Sequence, residues 1–169
     1  GRATMNPVTV MGLDPSLSGS GICVVDQCGN IVAMHVASSK PRGALVRDRM
    51  ERYAGLIRSV MEMVHLHKPA VVCVEGYSFG STTGNVTDRY EYGGLLRWSL
   101  IAAGRTVFEV GPLTLKKWAT GKGAGDKTAV IASLTRDYGH VFRSDNEYDA
   151  LGLAMIARQI NWRGCDDGT

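Results

Sequence analysis

"TVMGLDPSLSGSGICVVDQCGNIVAMHVA" (residues 9–37) decides the fold. Within it, "TVMGLD", "GSGICVVD" and "IVAMHVA" are short apolar runs rich in β-branched residues, the composition of strands. The tetrapeptide "QCGN" between the second and third runs is a turn, so those two pair as a hairpin.

Downstream the hydrophobic period changes. From Val46 onward, Met50, Tyr53, Ile57, Val60, Met61 and Val64 recur at helical spacing and stop before Pro69. "AVVCVE" (70–75) is a continuous β-branched run, the signature of a strand covered on both faces. There follow a Gly/Ser/Thr-rich loop over 76–86, a helix over 87–103, the strand "TVFEV" and the break "GP". A short helix through Trp118, a glycine-rich loop and two further helices complete the chain. This order predicts an α/β domain with a mixed five-stranded sheet, an antiparallel hairpin edge, parallel later strands and helices on both faces. The expected organisation is an N-terminal segment over 1–7, a domain over 8–162 and a tail over 163–169. "GRAT" before Met5 resembles an expression remnant.

The 169 residues, 44% of them apolar, suffice for a core of their own. Cysteines 23, 28, 73 and 165 form no CxxC pair, and no apolar run approaches a membrane span. With no signal-like N-terminus, reduced thiols and a cytoplasmic setting are expected, with no membrane partner. Net charge is only +3, but between Arg97 and Arg143 eight Lys/Arg stand against three acids. Such a segment favours an anion, or forms a solvated basic face. Tyr77, Phe79, Tyr90 and Tyr92 lie just upstream and suit stackable bases.

"GKGAGDKT" (121–128) has the outline of a nucleotide-binding loop. A Walker loop needs glycine before its Lys-Thr, so that bare N–H groups can curl around phosphate. Asp126 stands there instead, and its carboxylate would repel a nucleotide, so no nucleotide cofactor is expected.

Three acids then draw attention. Asp14 closes a strand before Pro15, and Glu75 closes the most hydrophobic strand before Gly76. Each sits at the edge of a core and calls for a cation nearby, which a structural ion pair would also satisfy. In "DNEYDALGLAMIARQI" Leu153, Ile156 and Ile160 follow Asp149 at helical spacing, so Asp149 is expected in the buried stripe, with Asn146 on the same face. Three inward carboxylates repel unless a divalent cation joins them, and oxygen-only ligation favours Mg²⁺, with Mn²⁺ as substitute.

"GLDPSLSGSG", "VVCVEGYSFG", "PLTLKKWATGKGAGDKTAV" and "DNEYDALGLAMIA", in this order and at these separations, resemble the RuvC family of Holliday-junction resolvases, within the ribonuclease H-like fold. The resemblance runs from about Val8 to Ile160. It implies a homodimeric, structure-selective endodeoxyribonuclease that cuts four-way junction DNA by metal-dependent phosphodiester hydrolysis. The implied metal ligands are Asp14, Glu75 and Asp149. Many members carry an acid or His where this chain has Asn146, so the fourth ligand stays open between Asn146 and Asp145. Lys127 is the implied catalytic cation, and Lys116, Lys117, Lys122 and Lys127 the implied contacts to DNA phosphate. Tyr77 and Phe79 fall where the family places residues that enter the junction, and loop packing explains them equally well. A bacterial or phage source follows from the same resemblance.

Other readings stay open: a nuclease of other branched DNA, or a junction-binding protein without cleavage, for which the neutral Asn146 is the argument. An actin-like ATPase or sugar kinase begins with a similar hairpin but needs a second domain of comparable size.

Overall fold

The computed structural model describes residues 6–78, 86–120, 132, 135, 136 and 142–162. Strands β1 (Thr9–Asp14), β2 (Ser20–Asp26), β3 (Ile31–Ala37), β4 (Val71–Glu75) and β5 (Thr106–Val110) form one sheet in the order β3-β2-β1-β4-β5. β1, β2 and β3 pair antiparallel, whereas β4 runs parallel to β1 and β5 parallel to β4. The mixed five-stranded sheet expected from the sequence is present. Its hairpin turn is set by Asp26, whose carboxylate accepts the Asn30 N–H at 2.9 Å, and by Gly29 at φ +84°, where a side chain would be strained.

On this sheet pack the helices α1 (Val46–His67), α2 (Val86–Ala102), α3 (Pro112–Thr120) and α4 (Asp145–Asn161). α1 buries Tyr53, Leu56, Val60 and Val64 and ends where Lys68, left-handed at φ 46°, donates its N–H to the Val64 carbonyl at 2.8 Å. Alternation along the strands divides the core in two. Met11, Leu13, Val72 and Val74 pack with α1 and α2, while Val10, Val71 and Cys73 pack with Leu115 of α3 and with Ala150, Leu153 and Ala154 of α4. Helices therefore cover both faces, as expected. The first of the two helices expected after the glycine loop lies largely outside the described residues, as do Phe79, Lys122 and Lys127.

α4 rests on β1 and β2 backbone to backbone. A Cβ on Gly12 would collide with the main chain of Ala150 and Ala154, and a Cβ on Gly21 with that of Asn146. Glycine at these two positions lets the helix approach closely enough to carry its first turn to the end of the sheet. Among the described residues, no helix is long and apolar enough to cross a membrane.

Candidate active site

Asp14 and Glu75 are the last residues of the adjacent parallel strands β1 and β4. The register pairs Leu13 with Val74, so one step further the two acids stand side by side. The alternation that sends Val10 and Cys73 into the α4-side core directs both carboxylates to that same side. Asp14 is 8% exposed and Glu75 half-buried. Together they line a cleft of about 290 Å³ that also takes in Ser16, Tyr92, Arg89 and Arg97.

α4 meets this sheet end from one face. The Asn146 main chain lies over Gly21, and Gly21 is the register partner of Asp14. The first turn of α4 is thereby held over the strand pair that ends in Asp14. The Asn146 side-chain amide points to Gly19, 2.9 Å from where a Cβ there would stand. The deepest stripe of α4 runs through Ala150, Leu153, Ala154 and Ala157, not through Asp149. This corrects the expected stripe by one residue. Small alanines seat the helix on the glycines, Ile156 and Ile160 flank the contact, and Asp149 is half-buried at its edge.

Asp149 does not line the cleft shared by Asp14 and Glu75. Among the described residues, no three His, Cys, Asp or Glu side chains are gathered into a group able to hold a metal ion. The donor chemistry at this end of the sheet, carboxylate with amide oxygen, is nonetheless that of a hard divalent cation.

The cation expected beside Glu75 takes another role. Arg97 donates from Nη2 to the Glu75 carbonyl at 3.1 Å, and its Nε pairs with Glu109 of β5 at 2.6 Å. Nη1 reaches the Tyr77 hydroxyl at 3.2 Å and the Gly93 carbonyl at 3.0 Å, and the guanidinium carbon lies 4.4 Å from the Tyr77 ring centroid. Tyr77 also meets Tyr90 edge-on at 4.8 Å. Its ring packs against α2, where a Cβ on Gly93 would collide with the hydroxyl. Nearer Asp14, the Tyr92 hydroxyl bonds Ser20 Oγ at 2.7 Å, and Ser20 donates to the Ser16 carbonyl at 2.8 Å. Burial pushes the Tyr92 phenol up to about 12, against the Ser20 hydrogen bond and with the Asp14 charge adding to the rise.

In the sequence Arg97 counts toward the basic segment and Tyr92 among the aromatics suited to bases, but neither in its role here, and Glu147 is passed over; Tyr92, at 1% exposure, is closed to any base. Only Glu147 left a signal, the pattern Ser144-x-x-Glu147 of a helix N-terminus. It is 7% exposed and accepts the Arg143 N–H. Arg97 and Tyr92 lie on a helix whose pattern says which face is buried but not what that face meets. Lys116 and Lys117 are exposed on α3, and neither lines the cleft. α3 is fixed to α4 because Gly152 leaves room for Leu115 and Trp118.

Solved structures match this architecture. The Thermus thermophilus RuvC structure superposes with a TM-score of 0.75 at 23% identity, covering 91% of this chain and 96% of that one. The yeast mitochondrial Holliday junction resolvase Ydc2 gives 0.58 at 13% identity, covering 93% of this chain and 79% of that one. The fold is ribonuclease H-like. A family model described as crossover junction endodeoxyribonuclease RuvC matches residues 10–156, and the chain belongs to that family. Curated relatives with the same description include one from Synechococcus sp. (strain WH7803), 25% identical over 154 residues, with 86% of this chain and 95% of that protein covered. Another, from Rhizobium leguminosarum bv. trifolii (strain WSM2304), is 28% identical over 151 residues, with 89% of each covered.

Proposed function

We propose that this protein is a divalent-metal-dependent endodeoxyribonuclease that resolves Holliday junctions as a homodimer. The observation that carries the reading is the pair Asp14 and Glu75, in step at the ends of β1 and β4 on the α4 side of the sheet, within the stretch that matches the family. Asp14, Glu75 and Asp149 are the residues that would hold Mg²⁺ or Mn²⁺, with Asn146 or Asp145 as a further oxygen donor. A bound ion supplies charge neutralisation at the phosphate and a more acidic water.

The chain's own groups do the remaining work. The Arg97 bond to its carbonyl holds the main chain at Glu75, and Arg89 brings positive charge to the same cleft. Tyr92 stays a neutral phenol at working pH and is tied to Ser20, which in turn holds the Ser16 carbonyl at the cleft. Lys127 supplies the cation that offsets the charge building on the phosphate. The protein described as T. thermophilus RuvC in complex with Holliday junction substrate, TM-score 0.74, supports the choice of DNA substrate.

A dimer follows from two symmetric cuts, which need two sites related by a twofold axis. Leu95, Trp98 and Ile101 expose an apolar stripe on α2, with Trp98 67% open, and this is the surface such a dimer would cover. The deciding experiment incubates an end-labelled four-way junction with the protein and Mg²⁺, with a parallel reaction in EDTA. Paired nicks across the junction only with Mg²⁺ support the reading. Intact junction with Mg²⁺ under conditions that allow binding would leave a junction-binding protein without cleavage.

A further inference from the structure

The basic segment recognised in the sequence begins at Arg97, yet the structure gathers a second set of cations from outside it. Three clefts join end to end. The acidic cleft shares Ser16, Leu17 and Arg89 with a neighbouring groove of about 680 Å³. That groove shares Ser18, Pro41, Arg42 and Arg52 with a third, also about 680 Å³, which ends at Ser38 and Lys40. The path leads from Asp14 and Glu75, past the β1–β2 turn, to the connection between β3 and α1.

Its walls are built, not incidental. Arg52 donates from Nε to Ser39 Oγ at 2.8 Å and from Nη2 to the Leu17 carbonyl at 3.3 Å, which ties the β1–β2 turn to the segment after β3. Arg49 pairs with Glu91 at 3.2 Å and Asp88 at 3.6 Å, bracing α1 against α2. Asp48 accepts the Leu45 N–H at the start of α1. Of the acids lining the two grooves, Asp48 and Asp88 are thus engaged within the fold, and the exposed Glu51 is the acid that the cations of the third must outweigh. Arg89, Arg42 and Lys40 make no ion pair among the described residues.

We infer that this path is a second phosphate track, on which Arg89, Arg42 and Lys40 hold the sugar–phosphate backbone of one DNA strand leaving the acidic cleft. The inference rests on the nuclease reading and extends it beyond Arg89 to two grooves that reading does not use. A single anion would need one pocket; three connected clefts with cations at intervals suit a polyanion. Backbone, not bases, is the ligand, because among the described residues the one aromatic side chain lining the two grooves is Tyr53, and it is buried at 1% exposure. Ser16 and Ser18 add hydroxyls 3.2 Å apart at the groove wall, suited to phosphate oxygens and without sequence preference.

The test is the double substitution Lys40→Ala/Arg42→Ala in the full chain, with Lys40→Arg/Arg42→Lys as the charge-preserving control. Four-way junction binding is titrated across a salt series without divalent cation. Each phosphate contact contributes about 0.9 to the slope of log K against log salt, so the alanine pair should lower the slope by about one to two. Affinity should fall equally for junctions of unrelated sequence, and the control should keep the wild-type slope. Single-turnover cleavage at saturating protein should stay at the wild-type rate, since neither residue lines the acidic cleft. An unchanged slope and affinity in the alanine pair overturns the track, as does an equal loss in the control. Wild-type protein that neither binds nor cuts the junction would instead remove the nuclease reading on which the track rests.

Discussion

Arg97 Nη2 donates to the main-chain carbonyl of Glu75 at 3.1 Å, so a helix on one face of the sheet holds the backbone of an acid directed to the other. The same guanidinium is anchored by Glu109 and covers Tyr77, and the Arg97 side chain is only 14% exposed. Arg97→Ala should leave the carbonyl short of a partner at a cost of about 1–3 kcal/mol. For a chain of this size that lowers the Tm by about 2–4 °C per kcal/mol, readable by calorimetry. Junction cleavage should fall further than junction binding. Arg97→Lys should restore little of either, because an ammonium cannot span Glu109, Tyr77 and the carbonyl as a planar fork does.

Gly12 is the converse case, a residue with no chemistry on which the site depends. Gly12→Ala places a methyl into the main chain of Ala150 and Ala154. Overpacking of this kind costs about 1–3 kcal/mol or more, visible as a lower urea midpoint. Because α4 carries Asp149, cleavage should drop with Asp14 and Glu75 both intact. Wild-type activity in Gly12→Ala would show that α4 need not seat so closely.

Asp14→Asn should abolish cleavage while sparing junction affinity. Mg²⁺ should raise the Tm of the wild type, through preferential binding to the folded state, and raise that of Asp14→Asn much less. Thermal melts with and without Mg²⁺, read beside a cleavage gel, check both statements. Full activity of the wild type in excess EDTA would refute them.

Alkaline stability should follow three buried phenols. Tyr53, Tyr92 and Tyr148 are each raised from the ordinary value of 10.0 to about 12, with burial the leading cause. Below pH 10 both folded and unfolded phenols are protonated, and this contribution is fully present. Between pH 10 and about 12 only the unfolded chain ionises, so stability falls as pH rises, by up to about 1.4 kcal/mol per pH unit for each group. Urea midpoints measured across that window should show the fall, and Tyr92→Phe should make it shallower.

Assembly should depend on the open stripe of α2. Trp98→Glu combined with Ile101→Glu places charge on an apolar surface that a dimer would bury, at 67% and 55% exposure in the single chain. Light scattering should report a dimer for the wild type and a monomer for the variant, with paired incision lost. A wild-type monomer that cuts at full rate would refute the twofold arrangement.

The sequence by itself determined the elements and the chemistry carried at their ends. Short apolar runs rich in β-branched residues mark the strands and helical spacing marks α1 and α4, because composition and spacing are local properties of the chain. Asp14 and Glu75 were legible as strand-end acids because a carboxylate that closes an apolar run stands out against its neighbours. Only the tertiary structure decided which residues meet. The one-residue turn of α4 toward Ala150 and Ala154, away from Asp149, depends on glycines more than a hundred residues earlier. The reach of Arg97 to Glu75 and Glu109 joins a helix to two strands. The track through Arg89, Arg42 and Lys40 gathers cations that never form a run in the chain. In each case the deciding quantity is the distance between residues far apart in sequence, which packing sets and local propensity does not.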